Sequence, residues 1–466
     1  MKKKRIEKDL LGELDVPSDA YWGIHTERAI HNFPISGCRI NPALVKALAM
    51  VKKACCAANA EGGYITGEKT SAITAACEEI MEGEFADQFP VDALQGGAGT
   101  SSNMNVNEVI ANRAIEILHG EKGDYSIVHP VEDVNLHQST NDVYPTAVKI
   151  AAIYGFRKLS DAVASIQGAF QKKEKAFGNI VKIGRTELQE AVPVTLGAEF
   201  SAFSEAVSRD RWRTFKCEER LRVVNLGGTA LGTGITSPRD YIFLVIEKLR
   251  DVTGLGLSRG ENLIGETANA DAFVEVSGIL KAHAANLVKI ANDLRLLNFI
   301  GEITLPQLQA GSSIMPGKVN PVLMEAVMQT GIKVMANDAV VSDVASRGTW
   351  QINEFLPLLA HVLLESLDML HAINRLFADH ANKITADEAR CRAYFDESPM
   401  IMTALLPLIG YDEATALIKE FDATRGKTVR AFLEEKFGSA FVKKVFSPYN
   451  LTALGFRNYE HNTKRQ

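Results

Sequence analysis

The sequence lacks several features that identify common classes of protein. Aromatic residues make up only 7% of the 466 residues, and the six cysteines form no C-x-x-C pair. The ten histidines are scattered, without an H-E-x-x-H sequence or a Cys/His cluster, so we expect neither a structural nor a catalytic zinc ion. Unpatterned cysteines in a chain of this length are typical of reduced thiols, so the protein is expected to be cytoplasmic.

An excess of positive charge is also missing. The 51 Lys and Arg residues face 57 Asp and Glu residues, and a net charge of −6 excludes broad electrostatic binding to nucleic acid. No stretch approaches the roughly 18 uninterrupted apolar residues of a membrane span, so no membrane partner is expected. The basic residues 2–5 precede a polar segment instead of an apolar one, which argues against a secretion signal.

Motifs for nucleotide binding and for serine nucleophiles are absent. The sequence has no G-x-G-x-x-G, and its glycine-rich segment 96–99 is not followed by Gly-Lys-Ser/Thr. No G-x-S-x-G accompanies its serines, so a catalytic serine here would have to move a proton. Strand-like alternation is sparse, and no βαβ rhythm or internal repeat is visible.

Helical periodicity dominates what is present. One apolar face recurs at steps of three, four or seven residues and predicts a helix over 271–297; its members are Phe273, Val276, Leu280, Leu287, Ile290, Leu294 and Leu297. Similar patterns predict long helices over 146–175 and 357–379. Long apolar-striped helices joined by Gly/Pro/Asn-rich segments favour an all-α helical bundle.

Two polar clusters, 100–103 and 139–141, are dense in hydroxyl and amide groups. Either cluster alone is typical of helix N-capping. Together, hydroxyls, amides and helix N-terminal N–H groups can also bind a carboxylate without arginine.

A third segment, 311–320, places Ser312 and Ser313 after a glycine and follows a Pro-Gly turn with Lys318 and Asn320. It is either a surface loop with an incidental lysine or a mobile anion-binding loop. A serine alkoxide at position 312 would need dense N–H donors and a nearby cation.

These segments resemble the signature blocks of the aspartase/fumarase superfamily. The blocks are Gly99-Thr-Ser-Ser-Asn-Met-Asn-Val-Asn-Glu108, Gln138-Ser-Thr-Asn-Asp142, Gly184-Arg-Thr-Glu-Leu-Gln189 and Gly311-Ser-Ser-Ile-Met-Pro-Gly-Lys-Val-Asn-Pro321. The resemblance implies an all-α fold of three domains, 1–138, 139–393 and 394–466, with central long helices forming a tetramer core. It also implies active sites that each take residues from three subunits of a homotetramer.

The resemblance further implies an anti-elimination of an amine or water in which no cofactor carries the chemistry. Ser312 aligns with the catalytic base, and Thr100, Ser139, Thr140 and Ser313 align with groups that hold the carboxylate beside the carbon losing its proton. Asn141 and Thr186 match positions near the leaving amine. Lys318 and Asn320 match positions that grip the other carboxylate.

The chain departs from the family pattern in three places. Glu187 stands where the family usually has His or Gln, and a carboxylate suits a substrate ammonium. Only Asn298-Phe299-Ile300 remains of a turn that is about five residues longer in the family. Trp350 replaces a leucine in a Gly-Gln-Leu run and is interpreted as either a core residue or an aromatic pocket wall.

The resemblance therefore favours a cytoplasmic carbon–nitrogen lyase that converts L-aspartate to fumarate and ammonia. An amine lyase for a bulkier or betaine substrate such as ergothioneine is the second hypothesis, because a carboxylate and an aromatic residue suit a quaternary ammonium. Fumarate hydratase is third, and Glu187 weakens it. A catalytically inactive crystallin-like homologue is a fourth, against which the intact Ser312 and Lys318 argue.

Overall fold

The computed structural model describes residues 3–424 and 426–455. Within these residues the chain consists mainly of α-helices. They are α1 (Ile24–Asn32), α2 (Pro42–Glu61), α3 (Gly67–Glu82), α4 (Thr100–Ile117), α5 (Thr140–Ala176), α6 (Leu196–Leu221), α7 (Arg239–Thr253), α8 (Leu263–Ala268), α9 (Asp271–Phe299), α10 (Val322–Ala345), α11 (Leu356–Ala381), α12 (Glu388–Glu397), α13 (Leu406–Ile409), α14 (Tyr411–Ala423), α15 (Val429–Phe437), α16 (Ser439–Val445) and α17 (Pro448–Thr452).

The strands are short and pair only in twos. They are β1 (Lys4–Asp9), β2 (Gly12–Pro17), β3 (Val181–Thr186), β4 (Gln189–Thr195), β5 (Val223–Val224), β6 (Ser258–Arg259), β7 (Ile303–Thr304) and β8 (Thr385–Ala386). The pairs β1–β2, β3–β4 and β7–β8 are antiparallel, and β5–β6 is parallel. The all-α prediction is confirmed.

The three long helices predicted from periodicity are present, and one begins earlier than its pattern suggested. Helix α9 matches the predicted 271–297 within two residues, whereas α5 begins at Thr140 and not at 146. Pro145 lies inside α5 and has no N–H to bond the carbonyl of Asn141. That carbonyl instead accepts from Nδ2 of Asn225 at 2.9 Å, so the helix continues through the proline.

Contacts group the described residues into two compact units. The first unit takes its residues from 1–160, 212–284 and 332–371, and the second from 161–211, 285–331 and 372–466. The second contains a C-terminal core around Phe395, Ile401 and Phe432. The three-domain division at 138/139 and 393/394 stays a prediction.

Helix α11 alone has the length and apolar composition of a membrane span among the described residues, and 61% of its most apolar window is buried. Its polar side chains have partners within the first unit: Glu365 accepts from Lys333 Nζ at 2.7 Å, and Asp368 accepts from Asn41 Nδ2 at 2.8 Å. These properties are those of a core helix in a bundle.

Helix α4 carries a row of buried polar side chains that bind loops and helices packed around it. The row comprises Asn103, Asn105, Asn107, Glu108 and Asn112, all at most 1% exposed. Asn105 donates to the Gln88 carbonyl at 3.0 Å and Asn112 to the Tyr21 carbonyl at 2.8 Å. Much of the 99–108 signature therefore organises the backbone around the site.

Glu108 caps helix α1, whose N-cap residue Gly23 has no side chain to do so. The Glu108 carboxylate accepts from the backbone N–H groups of Gly23, His25 and Thr26 at 2.9, 2.8 and 3.1 Å, and from the Thr26 hydroxyl at 2.6 Å. These donors would otherwise be buried without partners.

Glu108→Ala is expected to lower the free energy of unfolding by about 3 kcal/mol, because it orphans several buried N–H groups at once. Glu108→Gln keeps one acceptor oxygen and should lose less. Thermal unfolding at a fixed protein concentration measures both, with the exposed Glu84→Ala as the control. Equal midpoints for Glu108→Ala and the control would contradict the capping role.

Candidate active site

The loop between β7 and α10 is closed at a narrow neck. The Gly311 N–H donates to the Lys318 carbonyl at 2.8 Å, and Asn320 Nδ2 donates to the Gly311 carbonyl at 3.1 Å. A Cβ at position 311 would lie 2.6 Å from the Lys318 carbonyl oxygen, so only glycine fits. Residues 312–317 therefore form a loop whose two ends meet at this neck.

Within this loop the Ser312 hydroxyl oxygen accepts two backbone hydrogen bonds. The donors are the N–H groups of Ile314 at 3.2 Å and of Met315 at 2.9 Å. Hydrogen bonds to an oxygen that becomes charged favour its charged form. The loop thus supplies part of what an alkoxide at Ser312 would need.

The other predicted residues of the loop face solvent to different degrees. Ser313 and Lys318 are exposed, and Ile314 between them is 84% exposed. Asn320 is half-buried and uses one amide N–H on the neck, which leaves the second for a ligand. This exposed loop therefore carries two adjacent serines and one lysine.

In the first unit, the N-termini of α4 and α5 lie together. Asn103 of α4 donates through Nδ2 to the hydroxyl oxygen of Thr140, the first residue of α5, at 3.1 Å. The Ser139 hydroxyl oxygen accepts from the Asn141 N–H at 3.2 Å. Because both hydroxyls serve the protein as acceptors, their protons are left to donate to an anion at the positive ends of two helices.

Thr100 begins α4, and its hydroxyl donates to the Gly97 carbonyl at 2.7 Å. Gly99 before it has a positive φ of 96°, and a Cβ there would lie 2.5 Å from the Tyr144 ring. The helix start is therefore packed directly on α5. Binding of a carboxylate by Thr100 requires its hydroxyl proton to turn away from Gly97.

Asp142 and the loop after β5 belong to this region, and the sequence analysis missed their role. Asp142 accepts from the N–H groups of Ser139, Gly227 and Thr229 at 3.0, 3.0 and 2.9 Å, and burial raises its pKa to about 6. Asn141 Nδ2 donates to the Ala230 carbonyl at 2.8 Å. The Ser-x-x-Asp spacing of residues 139–142 is a capping-box pattern and was the available signal.

In the second unit, Thr186 and Glu187 lie at the tip of the β3–β4 hairpin. Thr186 pairs with Gln189, so Glu187 and Leu188 form a two-residue turn with φ of 51° and 65°. Two positive φ angles are those of a type I′ turn, which favours Asn and Gly. Non-glycine residues here store strain, which points to a role for their side chains.

A buried ion cluster joins the base of this hairpin to the segment that leads into the Ser312 loop. Glu302, fully buried just before β7, pairs with Arg185 Nη1 at 2.7 Å and with Lys182 Nζ at 2.5 Å. Lys182 also pairs with Glu199 at 2.9 Å. The cluster holds the base of the β3–β4 hairpin against the segment before β7. The turn of the hairpin and the Ser312 loop stay exposed.

The interpretation of Trp350 as a core residue is wrong. Its side chain is 92% exposed at the tip of a tight turn closed by mutual backbone hydrogen bonds of Thr349 and Ile352, and its φ is 52°. The shortened segment 298–300 is closed locally: Asn298 Oδ1 accepts from the Leu305 N–H at 2.9 Å.

The ten predicted site residues fall into two groups. Thr100, Ser139, Thr140 and Asn141 lie in the first unit, whereas Thr186, Glu187, Ser312, Ser313, Lys318 and Asn320 lie in the second. The structure brings Ser139, Thr140 and Asn141 together at one helix start. It brings Ser312, Ser313, Lys318 and Asn320 together in one loop.

Gly311→Ala is expected to lower kcat/KM by about 10²-fold, because opening the neck displaces the Ser312 loop by an ångström or more. The thermal midpoint should change little, since the loop is exposed. Gly278→Ala in helix α9 has open space around its new Cβ and serves as the control. Full activity in Gly311→Ala would show that the neck does not position the loop.

Comparison with known proteins identifies the family. The profile of a lyase family matches residues 12–336. Aspartate ammonia-lyase of a Bacillus species is 42% identical over 97% of this chain and 98% of its own length. The Escherichia coli K12 aspartate ammonia-lyase is 44% identical over 96% of each chain.

Solved structures agree with this assignment. A fumarate lyase:delta crystallin from Brucella melitensis, bound to cobalt, superposes with a TM-score of 0.91 at 45% identity over 96% of this chain and 99% of that one. A class II fumarase from Schistosoma mansoni has a TM-score of 0.89 at 31% identity, with coverage of 96% and 98%. The chain therefore belongs to the lyase family, within the aspartase/fumarase superfamily that its motifs resemble.

Proposed function

We propose that this lyase converts L-aspartate to fumarate and ammonia, with Ser312 as the base. The observation that carries the proposal is the Ser312 hydroxyl held by two backbone N–H donors in a loop whose neck admits only glycine. Aspartate ammonia-lyases at 42–44% identity over nearly the whole chain support the substrate.

The working enzyme is a homotetramer in the cytoplasm, and each active site combines the two groups of residues from different subunits. Several large apolar side chains on the long helices support an assembly that covers them: Trp212 is 65% exposed, Phe215 66% and Phe299 85%. All six cysteines are free thiols, and five of them are buried, which fits a reducing compartment.

The first chemical step is removal of a proton from Cβ. The Ser139 and Thr140 hydroxyls and the N-termini of α4 and α5 hold the adjacent carboxylate, and the Ser312 alkoxide takes the Cβ proton. The electron pair of the C–H bond moves into the carboxylate, which becomes a doubly charged aci-carboxylate. Donors aimed at that developing charge lower the barrier most.

The second step breaks the bond between Cα and nitrogen. The aci-carboxylate collapses to the Cα–Cβ double bond, and the amine leaves as ammonia. Asn141 Oδ1 and the Glu187 carboxylate are acceptors suited to the substrate ammonium, and Thr186 directly precedes Glu187. Lys318 supplies positive charge to the other carboxylate, with Asn320 as a neutral donor. Ser313 and Thr100 join Ser139 and Thr140 on the carboxylate beside Cβ.

Ser312→Ala is expected to abolish aspartate turnover, a loss of at least about 10³-fold, while the helix content and thermal midpoint stay unchanged. Fumarate formation is followed by its ultraviolet absorbance. Ser346→Ala, which lies at an exposed helix end, is the matched control. Wild-type turnover by Ser312→Ala would remove the base from the mechanism.

The substrate is tested by offering the purified protein aspartate, malate and ergothioneine in parallel. We expect an unsaturated product from aspartate alone. A product from ergothioneine would favour the betaine hypothesis, and one from malate would favour fumarate hydratase. A folded oligomer inactive on all three would indicate a structural homologue.

Glu187→Gln is expected to raise KM for aspartate by about tenfold, since it removes an opposite charge from the substrate ammonium. The affinity for succinate, which has no ammonium group, should stay the same. The exposed Glu190 on the same hairpin is no control because its carboxylate binds Ser398, so the exposed Glu205→Gln serves instead. An unchanged kcat/KM for Glu187→Gln would contradict the contact between Glu187 and the substrate ammonium group.

A further inference from the structure

We propose that Lys52 is a positioning residue whose buried positive charge underlies the carboxylate cradle of Ser139 and Thr140 and stabilises the negative charge that develops there. The inference rests on the proposed function and extends it to a residue outside the signature blocks. It is carried by the burial of Lys52 and by a short chain of hydrogen bonds.

Lys52 lies on α2 and is fully buried. Its Nζ donates to Asn135 Oδ1 and to Gln138 Oε1, both at 2.8 Å. Both partners are neutral amides, and within residues 3–424 and 426–455 no ion pair joins Lys52 to a carboxylate. Asp142 acts on Lys52 from a greater distance, but burying an ammonium group without a directly paired counter-charge is costly, and a methionine of similar length would avoid that cost.

The two amides link Lys52 to the cradle from two directions. Asn135 Oδ1 also accepts from Asn103 Nδ2 at 3.2 Å, and the same Asn103 amide donates to the Thr140 hydroxyl oxygen at 3.1 Å. Gln138 directly precedes Ser139, and the Gln138 carbonyl accepts from Asn135 Nδ2 at 3.2 Å. A change at Lys52 therefore reaches both hydroxyls through one shared network.

The groups that face Lys52 explain why its charge is available to a ligand. From α2 and α3 come the thiols of Cys55 and Cys77, which are neutral because burial raises their pKa values. From α7, Tyr241 reaches Cys55, and its pKa is also raised by burial. From α5 comes Asp142, which is tied to backbone N–H groups, and α4 contributes only amides.

A bound carboxylate adds a second negative charge to that of Asp142, and an aci-carboxylate adds more. Lys52 should then assist the transition state more than the bound substrate. Burial lowers the pKa of Lys52 to about 8 in the free protein, and a bound anion raises it again. Affinity for a carboxylate is therefore greatest below pH 8 and falls as the pH rises above it.

The test compares Lys52→Gln, which keeps a hydrogen-bond donor but removes the charge, with Lys52→Met, which removes both. Lys53→Met on the same helix is the control, because Lys53 pairs at the surface with Glu78. We measure kcat and KM for aspartate, the inhibition constants of succinate and of a nitronate analogue of aspartate, and the thermal midpoint. Both oxygens of the nitronate carry formal negative charge, as in the aci-carboxylate.

Both Lys52 variants are expected to lower kcat/KM by about 10²-fold, mainly through kcat, as for loss of one preorganised charge-stabilising group. Nitronate affinity should fall more than succinate affinity, and Lys53→Met should behave as wild type. Wild-type kinetics in Lys52→Gln would overturn the role of the charge. An equal loss of affinity for succinate and for the nitronate would show that Lys52 has only a structural role.

If the variants do not fold, the pH dependence of succinate affinity in the wild-type protein decides. A fall above pH 8 is expected, and a constant affinity up to pH 9.5 would overturn the proposal. A wild-type protein that binds succinate but does not turn over aspartate would contradict the proposed function instead. The two failures are thus distinguishable.

Discussion

The shared acceptor oxygen of Asn135 is the point on which the first group of site residues depends. Three side chains converge on it: Lys52 Nζ at 2.8 Å and the amides of Asn103 and Asn107 at 3.2 and 3.1 Å. Through it, helix α2, helix α4 and the turn before helix α5 are held in one arrangement. Because these donors share one acceptor, their hydrogen bonds fix the three segments relative to each other.

The second group of site residues lies on two exposed segments, each of which is held rigidly where it joins the fold. The Ser312 loop is closed by Gly311, and the hairpin of Glu187 is anchored by Arg185 on the buried Glu302. Glu187 and Leu188, the strained turn residues of the hairpin, are exposed and do not pack in the core. This arrangement presents polar groups outward at a defined geometry, which is compatible with the proposal that other subunits complete the site.

The long helices could be predicted from the sequence, because periodicity is a local property, whereas the site residues marked by the signature blocks stay a prediction. Three features could not. The early start of α5 depends on the Asn141 carbonyl freed by Pro145, whose partner, Asn225, is 84 residues away in the chain. Trp350 was interpreted by its residue type, whereas its exposure depends on the turn closed by Thr349 and Ile352. The roles of Lys52 and Asp142 depend on burial and long-range hydrogen bonds, which single residues do not reveal.

The missing N–H of Pro145 also removes one hydrogen bond, that to the Asn141 carbonyl, from the ladder of the first turns of α5. Besides the helix itself, Asn225, Asn103 and the Asp142 contacts hold residues 140–144 in place. Because helices fray from their ends, the amide hydrogens of this first turn are expected to exchange with solvent faster than those further along α5. A ligand that binds Ser139 and Thr140 would then slow this exchange in one turn alone, which makes that turn a local reporter of occupancy.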